Sequence, residues 1–491
     1  MKQSSSARHA SGVTPATSSM TGSPQAASAP VTTSAATDSS RVDYGRSIAG
    51  TTATNILNMV LGLVCASVLA RTLGPEGRGA YAAILALPMA LAVVAGFGFT
   101  NSILLEAARR PEELGSAFIT AQLATLLLFI PAGVAGWIAM PSLLKSQESS
   151  TIEAARWFLI LSVPAMGAFN LSAAALQGAR AFRAWNCLRI GQMVLWPVLL
   201  VGSVALGHRN ARLYSLLMAA SYWLMIPAML VSLVKRSPLP WRIAPHVARR
   251  MLPYGMSAWT ALLPMQLNRR VDQMAMAAAV SPAILGLYAA GVTISSIVVM
   301  MVGPVANVVA PLVAAAGNDE QPRIFGRFGR VSVIAGVAFG VGASAAAPFA
   351  ILILFGRSFA PAILPTVVLI LAGSVEGVAR VLGDALMALG RPSRVLRAEL
   401  VGLVVMGPGL WLSLPRYALV GTALTCLASR TATLIVTAEQ ISRVLAMRRR
   451  DFLLPSFSDM AEFLTRAMAF VPFLGRLGQL HRQGADRNHD K

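Results

Sequence analysis

The stretch YGMSAWTALLPMQLNRRVDQMAMAAAV, residues 254–280, decides how this chain is read. It is apolar and long enough to cross a bilayer, whose hydrocarbon core of about 30 Å takes about 20 helical residues. Yet Arg269, Arg270 and Asp272 sit near its middle. On insertion scales each such charge costs about 2.5–3.5 kcal/mol at a helix centre, roughly 8–10 kcal/mol for three. Each Leu or Ile returns only about 0.3–0.6 kcal/mol. A helix with this sequence cannot face lipid on its charged side. It belongs in a bundle, turned towards a partner helix or a water-filled cavity.

The rest of the chain has the composition of such a bundle. Of 491 residues, 55% are hydrophobic and 12% charged, and mean hydropathy is +0.64. A soluble domain carries about 25% charged residues, so the class is polytopic membrane protein. Twelve apolar runs are long enough to span, near 48–70, 80–104, 116–139, 153–176, 186–207, 213–234, 253–280, 285–311, 330–354, 361–388, 395–414 and 417–438. The expected fold is all-α, with about twelve transmembrane helices in two six-helix halves around a central cavity.

The net charge of +21 would suggest nucleic acid in a soluble protein. Here basic residues collecting on the cytoplasmic side of membrane helices explain it better, so no nucleic acid partner is expected. With the N-terminus inside, the even-numbered loops and their flanks hold 16 Lys and Arg and the odd-numbered ones 8. That asymmetry places both termini in the cytoplasm. Residues 1–45 are rich in Ser, Thr, Ala and Pro and read as a disordered cytoplasmic tail without a signal-peptide apolar core. Residues 46–235 form the first lobe, 236–252 a cytoplasmic linker and 253–438 the second lobe. The basic tail 439–491 contains FLTRAMAFVPFLGRLGQL, which reads equally as an interfacial amphipathic helix on anionic lipids or as a loosely ordered tail. Cys65, Cys187 and Cys426 fall within apolar runs and imply neither disulfide nor metal framework.

A short internal echo ties the halves together. GRGAYAA follows the first span of one half and ILGLYAAG the first span of the other, so Tyr81 and Tyr288 each stand two residues after a Gly and just before an Ala. Six spans per half make the repeats parallel, related by an axis along the membrane normal.

Several kinds of chemistry are excluded cheaply. None of the four lysines follows a glycine, so there is no Walker A loop; there is no HExxH spacing and no Asp-x-Asp pair. The external loops are too short for a catalytic domain, and no cofactor is expected. The intramembrane charges are what is left to work with. Arg269 and Asp272, spaced i, i+3, can pair along one face, leaving Arg270 without a partner. Glu376, Arg380 and Asp384 lie at i, i+4, i+8 on one stripe, and Arg430 is a further lone charge. Asn55, Asn58, Asn101 and Asn170 add polar groups in the first half. These charges either glue helices together or line a cavity that meets an anionic head group. In the second reading Arg269, Arg270, Arg380 and Arg430 bind the cargo. Asp272, Glu376 and Asp384 could instead take a coupling proton or sodium ion.

Four stretches in order carry a resemblance: ARTLGPEGRGAYAAI (70–84), RRVDQMAMAAAVSPAILGLYAAG (269–291), ILFGRSFAPAILPTVVLILAG (353–373) and ALGRP (388–392). Together they resemble the polysaccharide-transporter branch of the multidrug/oligosaccharidyl-lipid/polysaccharide exporter superfamily, over about residues 46–440. The resemblance implies a MATE/MurJ-like fold in the bacterial cytoplasmic membrane. It also implies a flippase that carries lipid-linked oligosaccharides on undecaprenyl diphosphate by alternating access, for O-antigen or exopolysaccharide. Other membrane proteins of polysaccharide assembly would then be its neighbours. Of the family's functional positions, only the Arg269/Asp272 element can be matched. The competing readings are a drug/cation antiporter of the same superfamily and a membrane-embedded enzyme of polysaccharide assembly. Four intramembrane arginines against three clear acids favour an anionic cargo over a cationic drug.

Overall fold

A computed structural model of the chain describes residues 34–237, 241–317, 319–455 and 459–460. The tail calls on residues 1–33 and 461–491, including most of the amphipathic stretch, lie outside the described residues, as does the side chain of Asn55.

The described chain is helical throughout: α1 (Ser34–Gly96), α2 (Phe99–Arg109), α3 (Leu114–Leu143), α4 (Ser149–Gly178), α5 (Phe182–Ala205), α6 (Ala211–Val234), α7 (Pro245–Asn268), α8 (Val271–Ala279), α9 (Pro282–Ala315), α10 (Gln321–Leu354), α11 (Ile363–Ala388), α12 (Pro392–Leu445) and the single turn α13 (Arg450–Leu453). Among the described residues nine helices are long and apolar enough to cross a membrane, against twelve expected spans. The difference lies in three places. α1 holds two expected spans and bends at Gly74, whose positive φ of 67° suits a residue without Cβ. α12 holds two and bends at Ala418, three residues after Pro415. The seventh span is broken into α7 and α8. Large apolar side chains such as Ile138, Phe349, Val404 and Trp411 are 70–81% exposed, as a lipid-facing belt requires and a water-facing surface does not.

The helix α1 is described from Ser34. At the other end α12 runs to Leu445, and the start of the basic tail docks rather than hanging free. Phe452 is fully buried with its ring 5.4 Å from Phe325, and Arg330 donates to the Asp451 carbonyl at 2.6 Å and to Asp459 at 2.7 Å.

The packing is asymmetric along the bundle axis. At the end carrying the odd-numbered connections the two halves share one core, in which Tyr81, Phe158 and Tyr214 of the first half cluster with Met276, Tyr288 and Cys426 of the second. A further apolar cluster there joins Ala66 and Ala70 to Ile294, Ile351 and Phe359. At the even-numbered end the cores are separate: one contains Ile103, Phe118 and Leu176, the other Val309, Phe325 and Leu386. Two halves that share a core at one end and not at the other enclose a cleft open towards the second end. α7 straps across this cleft. Its first turns, with Val247 and Met251, lie in the first-half core, where Arg250 donates to Glu106 at 2.6 Å and also reaches Glu113.

The sequence echo sits at the tightest point of the shared end. A Cβ on Gly79 would lie 1.7 Å from the Pro282 carbonyl oxygen, and one on Gly286 would lie 1.8 Å from that of Pro75. Pro75 and Gly79 have the same four-residue spacing as Pro282 and Gly286, so each half offers a carbonyl to the other half's glycine. Only glycine permits this approach of backbones. Polar caps reinforce the seal. Gln147 donates to the carbonyls of Ala277 and Val280 at 3.1 Å each, and Ser146 to Ala278 at 2.8 Å, satisfying the free carbonyls at the end of α8. Ser67 and Arg71 do the same for Leu354 at 2.6 and 3.0 Å at the end of α10.

Candidate functional site: a cation-lined cleft between the halves

The break in the seventh span builds the centre of the cleft. Between α7 and α8 stand only Arg269, still in the helical region, and Arg270, whose φ of −124° leaves it. Pro264, one turn earlier, has no N–H to give to the helix ladder. Asn268, the last residue of α7, is fully buried and locked by its side chain, which donates to Glu399 at 3.0 Å and accepts from Ser429 at 3.3 Å. The backbone carbonyl of Asn268, freed by the break, accepts from Arg430 at 3.1 Å. Broken helices whose freed backbone groups are satisfied by neighbours are how membrane proteins place polar sites at mid-depth.

The break also changes the pairings expected from spacing. Arg269 and Asp272 do not pair, because a non-helical junction separates them and the i, i+3 geometry does not apply. Arg269 instead reaches Glu376 of α11 at 2.7 Å. Arg430 is not a lone charge either, since its Nε lies 3.4 Å from the other Glu376 oxygen. Glu376 therefore clamps one arginine from the α7–α8 junction and one from α12. The Glu376–Arg380–Asp384 stripe exists on α11, but only Arg380 and Asp384 pair along it, at 3.8 Å with both side chains nearly half exposed. Such a pair contributes about 0–1 kcal/mol. Asp272 is buried; its Oδ2 accepts from the Tyr288 hydroxyl at 2.6 Å, with the Cys426 thiol 3.6 Å away, and its Oδ1 has no hydrogen bond.

Arg270 keeps the status its spacing suggested. Among the described residues its side chain closes no hydrogen bond or ion pair, and it faces two adjoining cavities. The first, of about 370 Å³, is lined by Arg269, Arg270, Arg380 and Arg430 with Asp272 and Glu376. Four cations thus face two acids. The second, of about 400 Å³, runs from Arg270 and Gln273 to Asn58, Arg78 and Tyr81 of α1. A third, of about 390 Å³, continues from Arg78 and Tyr81 into the first half. The three form one row across the cleft. Asn170 lines a separate, smaller pocket beside α3 and α4.

Two charged residues were missed by the sequence reading: Arg78, which lines two of the cavities, and Glu399, which lies behind the lining on Asn268. Arg78 stood in what hydropathy marked as the first external loop. The chain turns at Gly74 straight into helix again, which aims Arg78 inward, 5.7 Å over the Tyr81 ring and 3.5 Å from the Thr293 hydroxyl. Glu399 was passed over within its apolar run, and no local spacing links it to Asn268, which lies 131 residues away.

The sequence profile of a family described as polysaccharide biosynthesis protein matches residues 68–364. No curated protein matches. Among solved structures, the lipid II flippase MurJ in an inward closed conformation overlays with a TM-score of 0.66 at 13% identity, covering 86% of this chain and 92% of that one. An inward-facing multidrug resistance MATE transporter of the MOP superfamily gives 0.64 at 13% identity, covering 79% and 95%. An outward-facing MATE transporter of the same superfamily gives 0.52 at 15% identity, covering 80% and 96%. These likenesses give a fold shared by membrane transporters, and the profile gives the family: this multi-pass membrane chain belongs to the polysaccharide biosynthesis protein family, built on the fold of the MOP exporters.

Proposed function

We propose that the chain is a flippase for an oligosaccharide linked to a prenyl diphosphate, undecaprenyl diphosphate being the carrier that the family resemblance implies. The observation that carries this is Arg270, which among the described residues closes no ion pair and stands at the meeting point of two cavities, in a pocket lined by four arginines and two acids. A diphosphate needs such a place. An unpaired anion in hydrocarbon is prohibitively costly, and guanidinium groups replace its hydration with charge-assisted hydrogen bonds. A cationic drug would meet the wrong sign of charge, which weighs against drug/cation antiport.

The cleft supports alternating access. With the positive-inside orientation, its open end faces the cytoplasm and the glycine contact closes the external side. The better overlay on the inward-facing than on the outward-facing transporter agrees with this. The head group enters from the cytoplasm while the prenyl tail stays in lipid. Parting of the Gly79–Gly286 contact, with the halves closing at the other end, then exposes the head group outside. Of the three candidate coupling acids, Asp272 is the buried one with a carboxylate oxygen that accepts no hydrogen bond, whereas Glu376 is held by two arginines and Asp384 lies half exposed beside Arg380.

The test is complementation of a strain lacking its own polysaccharide flippase. Wild-type chain should restore surface polysaccharide, and Arg270→Ala should not, at equal membrane abundance. Charged hydrogen bonds of about 1.5–3 kcal/mol correspond to roughly 10- to 150-fold in head-group affinity. Full activity of Arg270→Ala would remove the cleft from the cargo path.

A further inference from the structure

The third cavity of the row has a chemistry of its own. It is lined by Phe169, Trp196 and Tyr222, with Asn58, Gln192 and Arg78 between them, and no carboxylate stands among its lining residues. Its walls are ordered. Trp196 stacks parallel to Tyr81 with ring centroids 6.4 Å apart, and Phe169 meets Tyr222 edge-on at 5.5 Å. Gln192 donates to Ser221 at 2.9 Å, which fixes its amide. Tyr222 hydrogen-bonds the same side chain.

A neutral sugar ring matches these walls. One face of a pyranose presents C–H groups, whose partial positive charge suits the negative face of an aromatic ring. Its rim presents hydroxyls that can donate to a carbonyl or accept from an amide or guanidinium. The cavity's two cations are drawn to aromatic faces, Arg78 over Tyr81 and Arg189 over Trp185, which leaves them placed to donate to hydroxyls at the rim of a mainly aromatic wall. The order of the cavities also matches the order of the cargo. The arginine-rich cavity adjoins the middle one at Arg270, and the middle one adjoins the aromatic one at Arg78 and Tyr81. Diphosphate at one end and sugar at the other is the connectivity of a prenyl-diphosphate glycan.

We propose that the aromatic cavity of the first half is the sugar subsite of the cleft, with Trp196 as stacking platform and Gln192 and Arg78 as its polar rim. This rests on the reading of the second-half cavity as the diphosphate site. The experiment measures binding of the full chain in nanodiscs to undecaprenyl diphosphate and to the same carrier bearing one hexose, one N-acetylhexosamine or one hexuronic acid. Wild type should bind at least one glycosylated carrier about tenfold more tightly than the bare carrier. Trp196→Ala should abolish that preference while leaving bare-carrier affinity unchanged. Trp196→Phe should keep most of it and Gln192→Ala should reduce it, which covers the case in which Trp196→Ala fails to fold. Arg270→Ala should weaken every probe. The subsite is overturned if wild type shows no preference across the panel, or if Trp196→Ala either keeps the preference or weakens bare and glycosylated carriers alike. If Arg270→Ala leaves every affinity intact while the Trp196-dependent preference persists, the diphosphate reading fails and the sugar subsite stands.

Discussion

Gly79→Ala is the smallest change that should alter which end of the cleft is open. The added methyl carbon would lie 1.7 Å from the Pro282 carbonyl oxygen, about half the 3.4 Å at which contact becomes ordinary. The obstructing atom is backbone on the facing helix, so no side chain can swing aside. α1 and α9 must move apart here by about 1.7 Å, or the halves must part. Overpacking of this kind costs about 1–3 kcal/mol, and it falls only on the state in which the glycines touch. A differential of that size shifts the ratio of the two states by about 5- to 150-fold. The assay places a cysteine at Ser296, which lines both the arginine-rich and the middle cavity, in a background where Cys65, Cys187 and Cys426 are replaced and transport is retained. Labelling by a membrane-impermeant maleimide from each side of oriented membranes then reports access. Gly79→Ala should raise labelling from the odd-loop side and lower it from the other. Gly303→Ala on the same α9, where an added Cβ meets nothing within 4 Å, should change neither. Unaltered access in a well-folded Gly79→Ala protein would refute the glycine contact as the closure between the halves.

Three further outcomes are expected. Glu376→Gln leaves Arg269 and Arg430 without their shared acid; it should destabilise the protein by about 3 kcal/mol, seen as earlier thermal unfolding in detergent. Arg380→Ala loses only an exposed pair, so its unfolding temperature should stay near wild type. Asp272→Asn should leave head-group binding in place but make transport insensitive to an imposed proton or sodium gradient; a gradient response equal to wild type would move the coupling role elsewhere.

Helix positions were legible because a bilayer demands long apolar runs whatever the tertiary contacts, and each expected span overlaps a helix. That the charges of 254–280 turn inward was legible too, because their insertion energy forbids lipid. The Gly-x-Tyr echo was visible as a repeat, but nothing in one dimension showed that the two glycines would meet each other. Pairing was where local spacing failed. Arg269 and Asp272 obey i, i+3 only on an unbroken helix, and the junction at 269–270 turns them to different partners. Arg430 looked alone because its acid, Glu376, comes from another helix. Arg78 was masked by a hydropathy window that read a kinked helix as a loop.

Translocation in proteoliposomes is the most direct measurement: purified full chain, undecaprenyl-diphosphate oligosaccharide loaded in one leaflet, and arrival of the sugar head group in the other followed by its accessibility to an impermeant glycosidase or lectin. Wild type should move the head group faster than empty liposomes, and Arg270→Ala should fall to the background rate with its fold intact. Background flipping by wild type, together with efflux of a cationic drug by the same preparation, would contradict the assignment of an anionic, lipid-linked cargo.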